Sequence, residues 1–275
     1  MLVRAFARPS CRRADSGRTG VTWLEGCGLV ALGFAVGAYG TMVGLGGGFF
    51  LVPALLFMHQ PARVAAGTSM AVVFANATSG TISYLRQRRV DVRSGLLFAA
   101  AGVPGAFLGA AVDQHLPHRL FAVLLACLLI VVAVRMLFGT SYAAASRTSE
   151  PQPRRYNVAV AVALAFGVGF IASMFGIGGG IIQVPSMIYL LSFPAHIATA
   201  TSHFTIALTA LFGTASHIYY GDVLPLPAIL LATGAIGGAQ LGAWLSQRLN
   251  AAPLLRWLSL AAFFVAGYLL FGYRG

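Results

Sequence analysis

Along this chain the apolar positions fall into long blocks separated by short polar breaks. They do not follow the alternation of a half-buried strand or the single stripe of a surface helix. The blocks run over 23–42, 61–85, 96–111, 120–138, 158–175, 197–219, 226–245 and 254–271, with two shorter ones at 49–58 and 181–191. A helix of about 20 apolar residues crosses a hydrocarbon core of about 30 Å, so the long blocks predict membrane spans. The two short blocks predict half-helices or re-entrant segments. The pattern therefore predicts an all-α polytopic membrane protein of about 8–10 transmembrane or half helices.

The two short blocks begin in the same way. GLGGGFFLVPAL at 44–55 and GIGGGIIQVPSM at 176–187 share six of twelve residues. Three glycines disfavour a continuous helix, and a proline removes an N–H and clashes with the preceding turn. Gly46, Gly47, Gly48 and Pro53, matched by Gly178, Gly179, Gly180 and Pro185, predict a helix break in each half. Within a bilayer, broken backbone survives where protein buries it or where it lines a wet cavity. Paired breaks in two halves point to the binding site of a transporter. Close helix packing is the plainer alternative, since small residues let backbones approach.

The duplication extends beyond the breaks. Residues 61–85 and 194–218 share nine of 25 positions, and 104–116 and 237–249 share seven of 13. The chain divides into an Arg-rich tail (1–20), a first transmembrane repeat (21–138), a polar linker (139–156) and a second repeat (157–275). Two topologies satisfy this division. If the short segments are re-entrant, each half has four full crossings and the repeats are parallel. If they cross, each half has five passes and the repeats are inverted. Arginines in 1–20, 86–93 and 139–156 all belong on the cytoplasmic side by the positive-inside rule, which favours the parallel version.

Composition sharpens this picture. Of 275 residues, 58% are hydrophobic and 9% charged, against about 25% charged in soluble domains. The net charge of +12 would suggest nucleic acid in a soluble protein. Here it reflects loop and tail arginines, so the partners are the bilayer and a small solute, not nucleic acid. A homo-oligomer is compatible with the pattern. Three cysteines (Cys11, Cys27, Cys127) show no metal spacing. No HExxH, GxSxG or GxxxxGK[ST] occurs, and Gly-Leu-Gly-Gly-Gly has no βαβ context, so no enzyme, cofactor or metal site is expected.

All six carboxylates (Asp15, Glu25, Asp91, Asp113, Glu150, Asp222) fall in tails, loops or span ends. Midplane Asp or Glu is the usual device of a cation pathway, so their positions argue against one. What remains within the spans is neutral donors and histidines. Thr68 and Ser69 follow the first glycine break, and Thr201, Ser202 and His203 follow the second. Together with glycine N–H groups at helix starts, their hydroxyls would suit an oxyanion. The alternative for each Ser or Thr is a bond to its own helix or to a neighbour. His203 and His217 are candidates for a proton relay, or for neutral hydrogen bonding within the bundle. Gln183 stands inside the second motif where the first has Leu51, which marks it as a further candidate at the site. Arg63 and His196 occupy matched helix starts.

The combination of G-x-GGG-x-x-x-VP in each half, A-x-x-TS at 65–69, A-T-A-TSH at 198–203 and the PGAFLGA/GGAQLGA block resembles the TauE/SafE (sulfite exporter) permeases. The resemblance covers the chain from about residue 21 onward. It implies a multi-pass permease of the bacterial inner membrane for small anions such as sulfite, sulfonates or other organosulfur compounds. Met70 stands where the second copy has His203, so any histidine-dependent step belongs to one half. The expected activity is secondary transport, with export as the direction. The alternatives are a channel or cation/metal permease, or a non-transporting membrane subunit.

Overall fold

A computed structural model describes residues 23–138, 157–246, 263–267 and 269. Among the described residues run nine long or short helices: α1 (Trp23–Val43), α2 (Gly48–Phe57), α3 (Ala62–Arg86), α4 (Val92–Asp113), α5 (His118–Phe138), α6 (Val158–Phe175), α7 (Gly180–Tyr189), α8 (Ala195–Tyr219) and α9 (Pro225–Leu245). No strand occurs among the described residues, and the protein is an all-α polytopic membrane protein. The tail at 1–20, the linker at 139–156 and most of the predicted span at 254–271 lie outside the described residues.

Among the described residues four helices, α1, α4, α6 and α9, are long and apolar enough to cross a membrane. They form two pairs, and each pair joins one half to the other. α1 packs on α9, and α4 on α6. Both contacts are made by small residues. A Cβ on Gly234 would lie 2.0 Å from the Val30 carbonyl oxygen, and one on Gly238 2.1 Å from that of Phe34. In the other pair, a Cβ on Gly105 or Gly109 would lie 2.2 Å from the carbonyl oxygen of Phe166 or Phe170. Such backbone contact substitutes for a hydrophobic drive that lipid does not supply.

α3 and α8, each 25 residues long, lie between the two pairs and carry the Ser, Thr, Asn and His side chains. α3 packs on α8 and α9, and α8 also packs on α4. Their polar faces are tolerated because the apolar pairs shield them. Aspartate and asparagine set two of the helix starts: Asp91 accepts from the Ser94 N–H at the start of α4, and Asn157 from Ala159 and Val160 at the start of α6.

Helix direction decides the topology. The end of α8 lies at the beginning of α3, where Leu224 N–H donates to Thr68. The end of α3 lies at the beginning of α8, where Arg89 donates to the His196 carbonyl. The two central helices are therefore antiparallel and the repeats are inverted, not parallel as the arginine counts favoured. Each short helix turns the chain back: α1 and α3 both run parallel to α9, so α2 must return between them. Of the arginine-rich segments only 1–20 favours the parallel version, since two helices separate 86–93 from 139–156 in either topology, and contacts between the central helices fix direction.

Candidate functional site

α1 ends at Val43, and the chain then takes positive φ at Gly44, Gly46 and Gly47 before α2 begins at Gly48. The second half repeats this at Gly176, Gly178 and Gly179 before α7. Left-handed backbone at three of four successive positions is open to glycine and costly for residues with a Cβ. The two loops touch in the buried centre. A Cβ on Gly48 would lie 2.4 Å from the Gly176 carbonyl oxygen, and one on Gly180 2.1 Å from that of Gly44. The N-termini of α2 and α7 thus start side by side, and neither has a side-chain cap. The first N–H groups of a helix lack intrahelical partners and carry positive partial charge.

Pro53 and Pro185 are not the breaks. Both lie inside their short helices, which run on through them. Each proline is the sixth of ten residues and removes one intrahelical bond, yet the helix continues through it and the glycines alone interrupt the chain.

The hydroxyls after each break are fully buried, and their partners divide them. Thr68 Oγ1 accepts from Leu224 N–H at 3.0 Å, and Thr201 Oγ1 accepts from Asp91 N–H at 3.0 Å. These are equivalent contacts at opposite ends of the antiparallel pair. In each threonine a lone pair is used and the O–H is not the donor. Ser69 is committed differently, since its hydroxyl donates to the Gly176 carbonyl at 2.7 Å and ties α3 to the second glycine loop. Ser202, its counterpart, is 0% exposed and its Oγ has no hydrogen-bond partner.

His203 is also 0% exposed. Its Nε2 lies 3.3 Å from Thr41 Oγ1, and its ring stands edge-on to Tyr84 at 5.6 Å. Thr41 in turn donates to Asn76, whose amide donates to the Gly46 carbonyl at 3.0 Å. A polar chain therefore runs from His203 to the first glycine loop. Asn76, Thr41 and Tyr84 were not among the sequence candidates for the site. Asn76 carries the one sequence signal among the three, as a lone amide within an apolar block. Gln183 does not join this chain; it lines a narrow recess with Phe98, Ala165 and Met187.

His217 lies at the opposite end of α8, buried, with Nε2 3.0 Å from the Ser173 carbonyl and Nδ1 3.8 Å from Asp222. Asp113 completes a group in which one ligand-type atom from each residue lies within 4.8 Å of the others. Asp113 is 1% exposed and Asp222 7%. Asp113 stands at a span end and Asp222 in a turn, as their sequence positions indicated, yet both are buried. Gln114 donates to Asp222 and accepts from Arg63 at 3.3 Å. Burial by itself would raise the Asp222 carboxyl, but His217, Gln114 and Arg63 outweigh it and hold the group below its ordinary value.

At the other end, Arg89 sits 5.3 Å above the Tyr84 ring and donates to Ser246 Oγ at 3.1 Å. Burial lowers the guanidinium from its ordinary value, and Tyr84 opposes that shift.

Comparison with known proteins agrees with this architecture. The family model described as "Sulfite exporter TauE/SafE" matches residues 29–270. The chain is 34% identical over 242 residues to the "Probable membrane transporter protein YunE" of Bacillus subtilis (strain 168), covering 81% of this chain and 89% of that protein. It is 30% identical over 226 residues to a "Probable membrane transporter protein" of Xylella fastidiosa (strain 9a5c), covering 82% and 84%. It is 26% identical over 238 residues to the "Probable membrane transporter protein MJ0441" of Methanocaldococcus jannaschii, covering 81% and 86%. No solved structure gives a significant match. With its paired glycine loops, its interleaved halves and a family match across nearly the whole of both repeats, the chain belongs to the TauE/SafE family and is a membrane transporter.

Proposed function

We propose that the protein exports small anions, sulfite and organosulfonates foremost, across the bacterial inner membrane. The observation that carries this reading is the meeting of two uncapped helix N-termini at the touching glycine loops. Two such ends present backbone donors and positive partial charge to one point without burying a fixed cation there. Ser202 supplies a buried hydroxyl with no other partner. The hydroxyls of Thr68 and Thr201 have lone pairs engaged and protons left to give. The family description adds sulfite as the first anion to try.

Thr68, Ser69, Thr201, Ser202 and His203 are all 0% exposed, so this conformation is closed to both sides. Alternating access follows if α3 and α8 rock against the α1–α9 and α4–α6 pairs. Arg86, Arg88, Arg89 and Arg93 cluster where α3 finishes, which places that end in the cytoplasm by the positive-inside rule. An inside-negative potential drives an anion outward by about 2.3 kcal/mol per charge per 100 mV, so export needs no cation pathway through the midplane.

The test is flux from proteoliposomes loaded in turn with sulfite, sulfoacetate, thiosulfate, sulfate and chloride, under a controlled potential. Efflux of a sulfur anion that Ser202→Ala abolishes supports the reading. Flux of cations instead, or sulfite flux untouched by both Ser202→Ala and His203→Gln, overturns it.

A further inference from the structure

We propose that Asp113, His217 and Asp222 form a one-proton site that holds the α3-start end of the transporter closed and so links proton binding to anion movement.

Three observations converge on it. First, the acceptors face one another. His217 Nε2 lies 3.0 Å from the Ser173 carbonyl, and a carbonyl can only accept, so the Nε2 edge carries a proton. In the neutral ring the Nδ1 edge is then a bare lone pair. That edge is buried without a hydrogen-bond partner and stands 3.8 Å from an Asp222 oxygen. Both Asp113 oxygens are also buried without a partner. A lone pair and two carboxylates turned toward one point repel unless a proton or a cation lies among them.

Second, charge counting sets the size of that positive charge. The charged and titratable groups that act on the cluster are Arg63 from α3, Asp113 from α4, His217 from α8 and Asp222 from the turn after it. Two carboxylates and one guanidinium leave a single negative charge. One proton on the cluster neutralises it, whereas a divalent ion overshoots. Alkali-metal ions favour oxygen ligands and gain little from an imidazole.

Third, the inverted repeat supplies an internal comparison. His217, Asp222 and Ser246 lie 133 positions after Tyr84, Arg89 and Asp113. Tyr84 donates to the Thr41 carbonyl where His217 meets that of Ser173. Arg89 covers the Tyr84 ring and bonds Ser246 where Asp222 faces His217 and Asp113. One end of the framework is thus closed by a permanent cation and hydroxyls. The other is built from the same backbone positions but has groups whose charge changes with pH.

The site is wired to the glycine loops, and this part rests on the anion reading above. Ser173 is three residues before Gly176, whose carbonyl takes the Ser69 hydroxyl. The turn holding Asp222 packs on Gly67, and Leu224 bonds Thr68. A proton entering at Nδ1 makes an imidazolium that draws the turn and the end of α4 onto α3. Its release restores the neutral ring, and the facing acceptors push this end open.

The test has two arms. Difference infrared spectroscopy of the purified, lipid-reconstituted protein, without substrate, follows imidazole and carboxyl bands from about pH 4 to about pH 9, a range that spans ordinary carboxyl and imidazole values. A single buried titration that Asp113→Asn shifts and His217→Gln removes supports the site. No titration in that range overturns it. So does stoichiometric Zn²⁺ or Mn²⁺ binding that Asp113→Asn abolishes. In the second arm, sulfite flux is read at stepped pH on each side. Wild-type flux should change about tenfold for each pH unit beyond the midpoint, and His217→Gln should flatten the profile. Flux independent of pH overturns the coupling. If no anion moves but the titration appears, the proton site stands and the anion assignment falls.

Discussion

Thr68 and Leu224 are 156 residues apart, and the side-chain oxygen of the first accepts the backbone N–H of the second at 3.0 Å. Thr201 and Asp91 repeat the contact at the opposite end. Each bond pins the turn after one central helix to the first third of the other. Replacing either threonine by valine keeps the shape and leaves a buried N–H unpaired, a cost of about 1–3 kcal/mol. Thr68→Val and Thr201→Val should therefore lower the thermal midpoint in detergent by similar amounts. A large effect from one and none from the other would show that the two ends are not equivalent supports.

Ser69 and Ser202 occupy equivalent positions and should respond in opposite ways. Ser69→Ala strands the Gly176 carbonyl and should destabilise the fold by about 1–3 kcal/mol. Ser202→Ala removes a buried hydroxyl that has no partner, so it should leave stability unchanged or raised while abolishing sulfite flux. Paired measurements of melting midpoint and proteoliposome flux separate the two. Equal destabilisation by both would mean that Ser202 is a structural bond.

The contact between the glycine loops is just as sensitive to added volume. Gly48→Ala and Gly180→Ala would each force a methyl group within 2.4 Å or less of a carbonyl oxygen. Overpacking of this kind costs about 1–3 kcal/mol where the backbone can yield, and more where it cannot. Gly167, in α6, has open space around its Cβ position, so Gly167→Ala should be neutral or mildly stabilising. Expression level and melting midpoint in detergent should rank Gly167→Ala well above the other two.

Much of this was legible before the structure. The apolar blocks gave the spans, and the repeated Gly-x-Gly-Gly-Gly gave the two breaks, because both signals are local in the chain. Direction was not legible, since it depends on which helix ends meet, and the arginines of the 1–20 tail weighed for the wrong topology. Proline usually ends a helix, so the sequence assigns Pro53 and Pro185 to the breaks, yet α2 and α7 continue through them. Asp113 and Asp222 were assigned to a span end and a turn, which is correct as position and misleading as environment. Their burial arises from contacts between the two halves, and no single stretch of sequence carries that information. Thr41, Asn76 and Tyr84 joined the site for the same reason.

Asp222 also sets the acid response of the fold. Its carboxyl is held below the ordinary value. A depressed folded value gives stability that is fully present above the unfolded value of about 3.9 and is lost as pH falls through the folded one. Wild-type melting midpoints should therefore fall on acidification below about pH 4. Asp222→Asn should start lower at neutral pH and lose less on acidification. Parallel curves for the two proteins would show that Asp222 is not the acid-labile group.

The inverted arrangement makes a prediction that separates it fully from the parallel one. Arg88 follows the end of α3, and Tyr219 closes α8; both are exposed. In an antiparallel pair these residues face opposite sides of the membrane, whereas in a parallel pair they would share one side. Arg88→Cys and Tyr219→Cys, each made in a background with Cys11, Cys27 and Cys127 replaced by serine, can be labelled in whole cells with a membrane-impermeant maleimide. Tyr219→Cys should react from outside, and Arg88→Cys only after the cells are opened, since the arginine cluster at 86–93 belongs in the cytoplasm. Reaction of both from the same side would return the repeats to the parallel topology. It would also undo the pairing of Thr68 with Leu224 and of Thr201 with Asp91, because neither bond can form unless α3 and α8 run in opposite directions.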